Sequence, residues 1–224
     1  MENADLVEMT ITGVHEGETR DGYREVTLST TRGDVECRYY PAGDAQKAVV
    51  FVGGIGGDFD TPARGLYPLL CGELAREGIA ALRVRFRHPT VLEEATLDVL
   101  AGLTFLDGEG IDVSALVGHS FGGAVVIQAA ALDEEVRTVV TLATQSYGAA
   151  PVSLLGPRCS ILLIHGTGDT TLPPSCSEQL YNQAREPKEL IIFEGARHGL
   201  DEKAEEVHHV TLQWLVEELE GNST

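Results

Sequence analysis

Ser120 stands at the junction of two apolar runs, and that junction limits the folds open to this chain. The run Ser114–Val117 has the length of a buried strand, and residues 123–131 continue an apolar face over about three helical turns. Between them lies Gly118-His-Ser-Phe-Gly122, whose glycines permit a turn too tight for a Cβ atom beside the serine. The pattern predicts a strand, a sharp corner that exposes the Ser120 hydroxyl, and a helix that begins at Phe121.

The same alternation of strand and helix patterns extends along most of the chain. Continuous apolar runs of strand length alternate with segments whose apolar residues recur every three or four positions. This order predicts right-handed crossovers and an α/β fold: a mainly parallel, doubly wound sheet with helices on both faces. The predicted strands are Ala48–Val52, Ile79–Phe86, Ser114–Val117, Thr138–Leu142, Ile161–Ile164 and Leu190–Phe193, and the predicted helices are Pro62–Glu77, Val91–Leu106, Phe121–Leu132, Ser175–Ala184 and Leu200–Leu219.

The N-terminal part of the chain has a different texture. Residues 9–40 are β-like, and the runs Val26–Thr30 and Val35–Tyr39 are separated by a turn over Thr31–Asp34, which predicts an antiparallel hairpin. The 224 residues are 43% hydrophobic, enough for one large core. We find no repeat or linker and therefore expect one domain over residues 1–224.

Composition argues against several classes of function. A formal charge of −19 opposes binding to nucleic acids and to anionic membranes. No stretch reaches the roughly 18 apolar residues of a membrane span, and the acidic N-terminus does not resemble a secretory signal. We therefore expect a cytoplasmic protein. The four cysteines lack metal-site spacing, and we expect no metal and no cofactor. Nothing in the composition indicates an oligomeric state.

Two residues could activate the serine. A serine hydroxyl needs a base, normally histidine, and a carboxylate that holds the base in one tautomer. Asp169 follows the strand Ile161–Ile164, and His198 follows the strand Leu190–Phe193. Ligand sites in such sheets collect at the carboxyl ends of the strands. We therefore expect Ser120, Asp169 and His198 to meet at one edge of the sheet.

Alternatives remain for both partners. Asp169 lies in a sequence that favours a turn, and His198 could cap or pack against the last helix. His88 is the one other histidine at the expected edge of the sheet. His119 should point away from the serine, and His165 should project from the turn that carries Asp169.

The attacked carbonyl would need N–H donors for its developing negative charge. The N–H of Phe121 lies at a helix N-terminus, and a second donor should come from the glycine-rich turn Gly53–Gly57, with Ile55 first and Gly54 next. This turn could instead cradle a phosphate, but it lacks both the P-loop ending and the dinucleotide-binding pattern.

The order of these motifs resembles that of the α/β-hydrolase superfamily, from about Ala48 onwards. Val117-Gly-His-Ser-Phe-Gly-Gly123 resembles its nucleophile elbow, His165-Gly-Thr-Gly-Asp-Thr-Thr-Leu-Pro173 its acid loop, and Gly195-Ala-Arg-His-Gly199 its histidine loop. The resemblance implies Ser120 as nucleophile, Asp169 as acid and His198 as base. Where many members have His-Gly at the oxyanion turn, this chain has Gly53-Gly54.

The resemblance also bears on the substrate. Many members insert a helical cap where this chain has only Ala143–Ser160, too short for a multi-helix lid. We expect an open, shallow cleft that takes small or short-chain acyl substrates, as in lidless esterases and dienelactone-hydrolase-like proteins. A carboxylate-binding role for Arg85, Arg87 or His88 is a minority interpretation. The residues expected to line the cleft are Ile55, Phe59, Phe121, Tyr147 and Leu172.

These features together predict a serine hydrolase of small carboxylic esters or thioesters that forms an acyl-enzyme, with a small-molecule ester as its partner. Two alternatives stay open. The fold could serve a non-catalytic ligand-binding protein, because a fold does not determine a function. The same three residues could also transfer the acyl group to an acceptor other than water.

Overall fold

A computed structural model describes residues 8–221 of the chain. Nine strands and five α-helices alternate over most of this range, and two short 3₁₀ helices occupy Ala150–Leu154 and Asp201–Lys203. The strands β1 to β9 are Ile11–Arg20, Tyr23–Thr30, Gly33–Tyr40, Lys47–Val52, Ala80–Val84, Val113–His119, Val136–Leu142, Ser160–Gly166 and Lys188–Phe193. The helices α1 to α5 are Leu66–Arg76, Leu92–Gly108, Phe121–Leu132, Ser175–Gln183 and Ala204–Glu220.

All nine strands belong to one sheet, in the order β1-β2-β3-β5-β4-β6-β7-β8-β9. The first three strands pair antiparallel, and β3 also pairs antiparallel with β5. From β5 to β9 every pairing is parallel. The predicted fold class and the N-terminal hairpin are therefore confirmed.

The sheet is buried on both faces. Along β4, Val50 and Val52 face one core with helices α2 and α3, whereas Val49 and Phe51 face a second core with helices α1 and α5. Alternate residues of the strand thus enter different cores, and neither set faces water. This double burial explains why β4 and β6 are continuous apolar runs rather than alternating ones.

Two helices, α1 and α5, begin four residues later than the sequence predicts. Helix α1 starts at Leu66 rather than Pro62, because Ala63, Arg64 and Gly65 all have left-handed backbone conformations, with φ of 48°, 54° and 93°. Similarly, Leu200 has φ of 59°, and α5 begins at Ala204 after a 3₁₀ turn. The two irregular segments meet, since the N–H of Ala63 donates to the carbonyl of Gly199 at 2.7 Å.

Candidate active site

Ser120 occupies a strained corner between β6 and α3. Its backbone has φ of 57° and ψ of −119°, a conformation that is costly for a residue with a Cβ atom. A Cβ atom at Gly118 would lie 2.2 Å from the carbonyl oxygen of Gly122, and one at Gly122 would lie 2.2 Å from the carbonyl oxygen of Gly53. The corner therefore requires both glycines, as the sequence pattern indicates.

The structure brings Ser120, His198 and Asp169 together. The Oγ atom of Ser120 lies 3.0 Å from Nε2 of His198, and Nδ1 of the same ring lies 2.7 Å from Oδ2 of Asp169. An ionised carboxylate only accepts hydrogen bonds, so Nδ1 of His198 carries the proton and Nε2 is left to accept one from the serine. This arrangement matches the activation of a serine by a histidine whose tautomer a carboxylate fixes.

The carboxyl group of Asp169 is enclosed and well supplied with donors. Its Oδ1 atom accepts hydrogen bonds from the N–H groups of Thr171 at 2.8 Å and Leu172 at 2.9 Å. Burial raises the pKa of this carboxyl, but the hydrogen bonds from His198, Leu172 and Thr171 outweigh burial and hold the pKa below its usual range. Asp169 is therefore ionised at neutral pH.

His165 was expected to project from the acid loop, and the structure places it differently. It lies in β8 with its side chain fully buried, and its Nε2 atom is 3.2 Å from Oδ2 of Asp169. Its Nδ1 atom lies 2.7 Å from the hydroxyl of Ser177. The sequence shows that His165 lies four residues before Asp169. It does not show in which direction the ring points.

His119 also lies inside the site rather than away from it. Its ring is 4.9 Å from the ring of His198, and its Nε2 atom is 2.9 Å from the His198 carbonyl oxygen. Burial lowers the pKa of His119, so its imidazole is neutral near pH 7. The other candidate, His88, is exposed on the segment after β5 and is not among the contacts of Ser120.

The predicted oxyanion loop lies directly against the serine. A Cβ atom on Gly54 would be 3.3 Å from Cβ and 3.7 Å from Oγ of Ser120. Within residues 8–221, the N–H groups of Ile55 and Phe121 donate to no protein acceptor. Phe121 is the first residue of α3, where N–H groups lack a partner inside the helix and attract negative charge.

The residues expected to line the cleft fall into different environments. Ile55 and Tyr147 are 61% and 83% exposed. Leu172 is half-buried, and its backbone contacts both Asp169 and His165. The Phe121 side chain is buried and packs edge-on against Phe86 at 5.8 Å, so its ring lies in the core rather than in an open cleft.

Phe59 lies elsewhere. The Arg38 guanidinium sits 4.1 Å from the centre of its ring, and that of Arg83 sits 5.6 Å from it. Arg38 belongs to β3, three positions from β6 in the sheet. Cation–π attraction to these two arginines therefore holds Phe59 over the antiparallel end of the sheet instead of in the cleft.

The arginines that follow the end of β5 are engaged by carboxylates. Arg87 donates to the buried carboxylate of Asp98 and, at 2.9 Å, to Glu94. Arg85 donates to Glu36 at 2.5 Å. These contacts indicate a structural role for Arg87, since losing it would leave Asp98 buried and unpaired.

No helix within residues 8–221 is both long enough and apolar enough to cross a membrane. The same residues contain no group of three or more His, Cys, Asp or Glu side chains that could hold a metal ion.

Comparison of the sequence alone does not assign the chain to a family. No protein-family model matches the chain. The uncharacterized protein YfhR of Escherichia coli is 33% identical in a segment that covers 37% of this chain and 37% of that protein. The chain thus matches little more than a third of the length of this relative.

Several solved structures superpose on most of the chain. Dienelactone hydrolase from Anabaena variabilis superposes with a TM-score of 0.75 at 18% identity, over 92% of this chain and 98% of that one. Est1E from Butyrivibrio proteoclasticus gives 0.70 at 16% identity, over 93% and 99%. XC6422 from Xanthomonas campestris, described as an α/β serine hydrolase without a lid, gives 0.68 at 18% identity, over 89% and 96%. Together with the strand order and the corner at Ser120, these superpositions show that the chain has the α/β-hydrolase fold.

Proposed function

We propose that this protein is a serine hydrolase that cleaves small carboxylic esters or thioesters through an acyl-enzyme. The observation that carries the proposal is the hydrogen-bonded series from Ser120 Oγ to His198 at 3.0 Å and from His198 to Asp169 at 2.7 Å. The names of similar structures, which include an esterase and a dienelactone hydrolase, support the same class of reaction.

The geometry supports a two-step reaction. Ser120 Oγ attacks the ester carbonyl carbon while its proton passes to Nε2 of His198. The carbonyl oxygen becomes an oxyanion, which accepts hydrogen bonds from the N–H groups of Phe121 and Ile55. The intermediate collapses, the bond to the leaving group breaks, and the alcohol or thiol departs with the proton from His198.

Water then completes the cycle. His198 accepts a proton from water, and the resulting hydroxide attacks the acyl carbon bonded to Ser120 Oγ. The second tetrahedral intermediate releases the carboxylic acid, and the serine oxygen recovers its proton from His198. Asp169 stays ionised throughout and stabilises the imidazolium that forms in both steps.

The decisive experiment compares two serine variants. The Ser120→Ala substitution should reduce turnover of p-nitrophenyl acetate to background. The Ser29→Ala variant should hydrolyse the same ester at the wild-type rate. Ser29 is a suitable control because it lies in β2, four positions from β6 in the sheet. Circular dichroism should show both variants folded, and retained turnover in folded Ser120→Ala protein would contradict the proposal.

Covalent labelling provides a test that does not depend on the choice of ester. A fluorophosphonate probe should label Ser120 in the wild type and leave the Ser120→Ala variant unlabelled. Absence of labelling in well-folded wild-type protein would favour a ligand-binding protein with this fold. Transfer of the acyl group to an added alcohol, measured against release of free acid, separates acyl transfer from hydrolysis.

A further inference from the structure

We propose that His165, oriented by Ser177, is a positioning residue that donates a second hydrogen bond to Oδ2 of Asp169 and so limits how strongly Asp169 holds the protonated His198. The inference rests on the proposed function, because it concerns the same three residues. It extends the site by two buried side chains, one from strand β8 and one from helix α4.

The contacts of His165 determine its tautomer. Its Nε2 atom lies 3.0 Å from the carbonyl oxygen of Leu172, which can only accept, so Nε2 carries a proton. That N–H also faces Oδ2 of Asp169 at 3.2 Å. Nδ1 of the neutral ring is left as an acceptor, and the Ser177 hydroxyl 2.7 Å away donates to it. The assigned direction of donation therefore runs from Ser177 through His165 to Asp169.

The environment keeps His165 neutral. The side chains of His165 and Asp169 are both fully enclosed, and burial lowers the pKa of His165 despite its hydrogen bonds to Leu172 and Asp169. The titratable groups that face this cluster are Asp169 and His198, with His119 and Asp60 beyond them. His165 thus acts as a neutral N–H donor and adds no positive charge beside the base.

One oxygen of Asp169 serves both histidines. Oδ2 accepts from His198 at 2.7 Å and from His165 at 3.2 Å, while Oδ1 is occupied by the backbone of Thr171 and Leu172. Without the His165 donor, Oδ2 would accept a hydrogen bond from His198 alone, and the carboxylate would carry more negative charge toward that ring. The imidazolium form of His198 would then be held more strongly, and the base would lose its proton only at higher pH.

The main test uses two substitutions of His165. His165→Leu removes the donor, whereas His165→Gln restores an N–H near the Nε2 position. In His165→Leu the acidic limb of the kcat/KM profile for p-nitrophenyl acetate should move to higher pH by about one unit, the scale of one hydrogen bond to a charged group. In His165→Gln the limb should stay near its wild-type position.

Ser177→Ala gives a second test should His165→Leu fail to fold. Loss of the Ser177 hydroxyl weakens His165 as a donor, so the limb should move in the same direction but less far. An acidic limb that stays in place in His165→Leu, or in Ser177→Ala where His165→Leu does not fold, would overturn the proposal. Equal losses in His165→Leu and His165→Gln with no movement of the limb would also overturn it, because they would indicate packing alone.

A measurement without turnover separates this proposal from the proposed function. The protonation of the His198 ring can be followed by NMR in Ser120→Ala protein with and without His165→Leu. Protonation should persist to higher pH when His165 is replaced. This result would support the inference even if ester hydrolysis were not observed, whereas identical titrations in the two proteins would reject it.

Discussion

Nε2 of His119 lies 2.9 Å from the carbonyl oxygen of His198, so the residue before Ser120 holds the loop that carries His198. The carbonyl can only accept, and the His119 ring therefore donates through its Nε2–H. Other bonds fasten the same loop: Gly199 accepts from Ala63 at 2.7 Å, and Asp201 accepts from the Arg64 N–H at 2.9 Å. His198 is thus positioned through its backbone as well as through Asp169.

We predict that His119→Leu lowers kcat/KM about tenfold, the equivalent of one hydrogen bond of roughly 1.4 kcal/mol. The substitution removes the donor to the His198 carbonyl while filling the space of the ring. His119→Gln, which can place an N–H near the same position, should recover most of the activity. Steady-state kinetics with p-nitrophenyl acetate measure the difference, and full activity in His119→Leu would show that the bond does not position the base.

The elbow glycines offer a second prediction. Gly122→Ala should destabilise the protein by more than about 2 kcal/mol, because its Cβ atom would lie 2.2 Å from the Gly53 carbonyl and force the oxyanion loop away from Ser120. Gly72→Ala is the matched control, since Gly72 lies inside α1 with nothing within 4 Å of its Cβ position. That control should gain about 0.5–1 kcal/mol from helix propensity.

Urea denaturation measures both changes in the free energy of unfolding. A Gly122→Ala protein as stable and as active as the wild type would mean that the corner can accommodate the methyl group without loss of stability or activity. A destabilised Gly72→Ala protein would mean that the comparison reflects a general cost of adding a methyl group rather than the close approach at Ser120.

Much of this architecture could be predicted from local patterns. β4 and β6 are continuous apolar runs because both faces of each strand are buried, and α3 begins at Phe121 as its apolar pattern predicts. The strand order is different, because the placement of β5 between β3 and β4 depends on contacts distant in sequence. The start of α1 was misplaced because the spacing of its leucines does not reveal the left-handed turn before Leu66.

In the candidate site too, some features follow from local sequence patterns and others depend on contacts between distant residues. Ser120, Asp169 and His198 could be placed because each follows a strand, and the ends of parallel strands share one edge of the sheet. The roles of His119 and His165 depend on the direction of a ring, which composition and spacing do not determine. Phe59 was misplaced because its partners, Arg38 and Arg83, belong to strands that are distant in sequence.

A third prediction concerns stability and pH. Burial lowers the pKa values of His119 and His165, so below about pH 6.5 the unfolded chain binds more protons than the folded protein. Above the unfolded-state pKa both rings are neutral in the folded and the unfolded protein, and they do not reduce the free energy of unfolding. That free energy decreases as the pH falls from the unfolded-state pKa through the lower folded-state pKa values, because protons then bind preferentially to the unfolded chain. The wild-type melting temperature should therefore fall as the pH is lowered from about 7 to about 5.

The variant His119→Gln/His165→Gln removes both titrating rings. Its melting temperature should fall less over the same pH range, even if it starts lower, and His15→Gln serves as the control because His15 is exposed. Thermal unfolding followed by circular dichroism at each pH provides the comparison. Equal slopes for the double variant and the wild type would show that other groups control the acid response.

Substrate length gives a fourth prediction. Between β7 and β8 the chain forms only a short 3₁₀ helix over Ala150–Leu154, and the nearby Tyr147 side chain is 83% exposed. With no multi-helix lid there, a long acyl chain would gain little apolar contact. Among p-nitrophenyl esters of increasing length, kcat/KM should be highest for short acyl chains, and a preference for chains beyond about ten carbons would contradict an open cleft.

Substrate charge gives the last prediction. The protein has a formal charge of −19, and Asp58, in the segment just after Ile55, has a side chain that is 80% exposed. Arg85 and Arg87, the two arginines that follow β5, already donate to Glu36 and Asp98. Arg197, which precedes His198, pairs with Glu202. Neutral esters should therefore exceed monoanionic esters of similar size in kcat/KM by about tenfold at low salt, and added salt should narrow this difference by screening the repulsion.

Arg85→Gln tests whether the arginine is committed to Glu36. If it is, the substitution should leave the ratio of neutral to anionic turnover within about twofold of the wild type, because no substrate contact is lost. A selective loss of turnover of the anionic ester in this variant would instead show that Arg85 leaves Glu36 to bind a substrate carboxylate. The ratio is the appropriate measure, since a general effect of the substitution on the fold would lower both rates together.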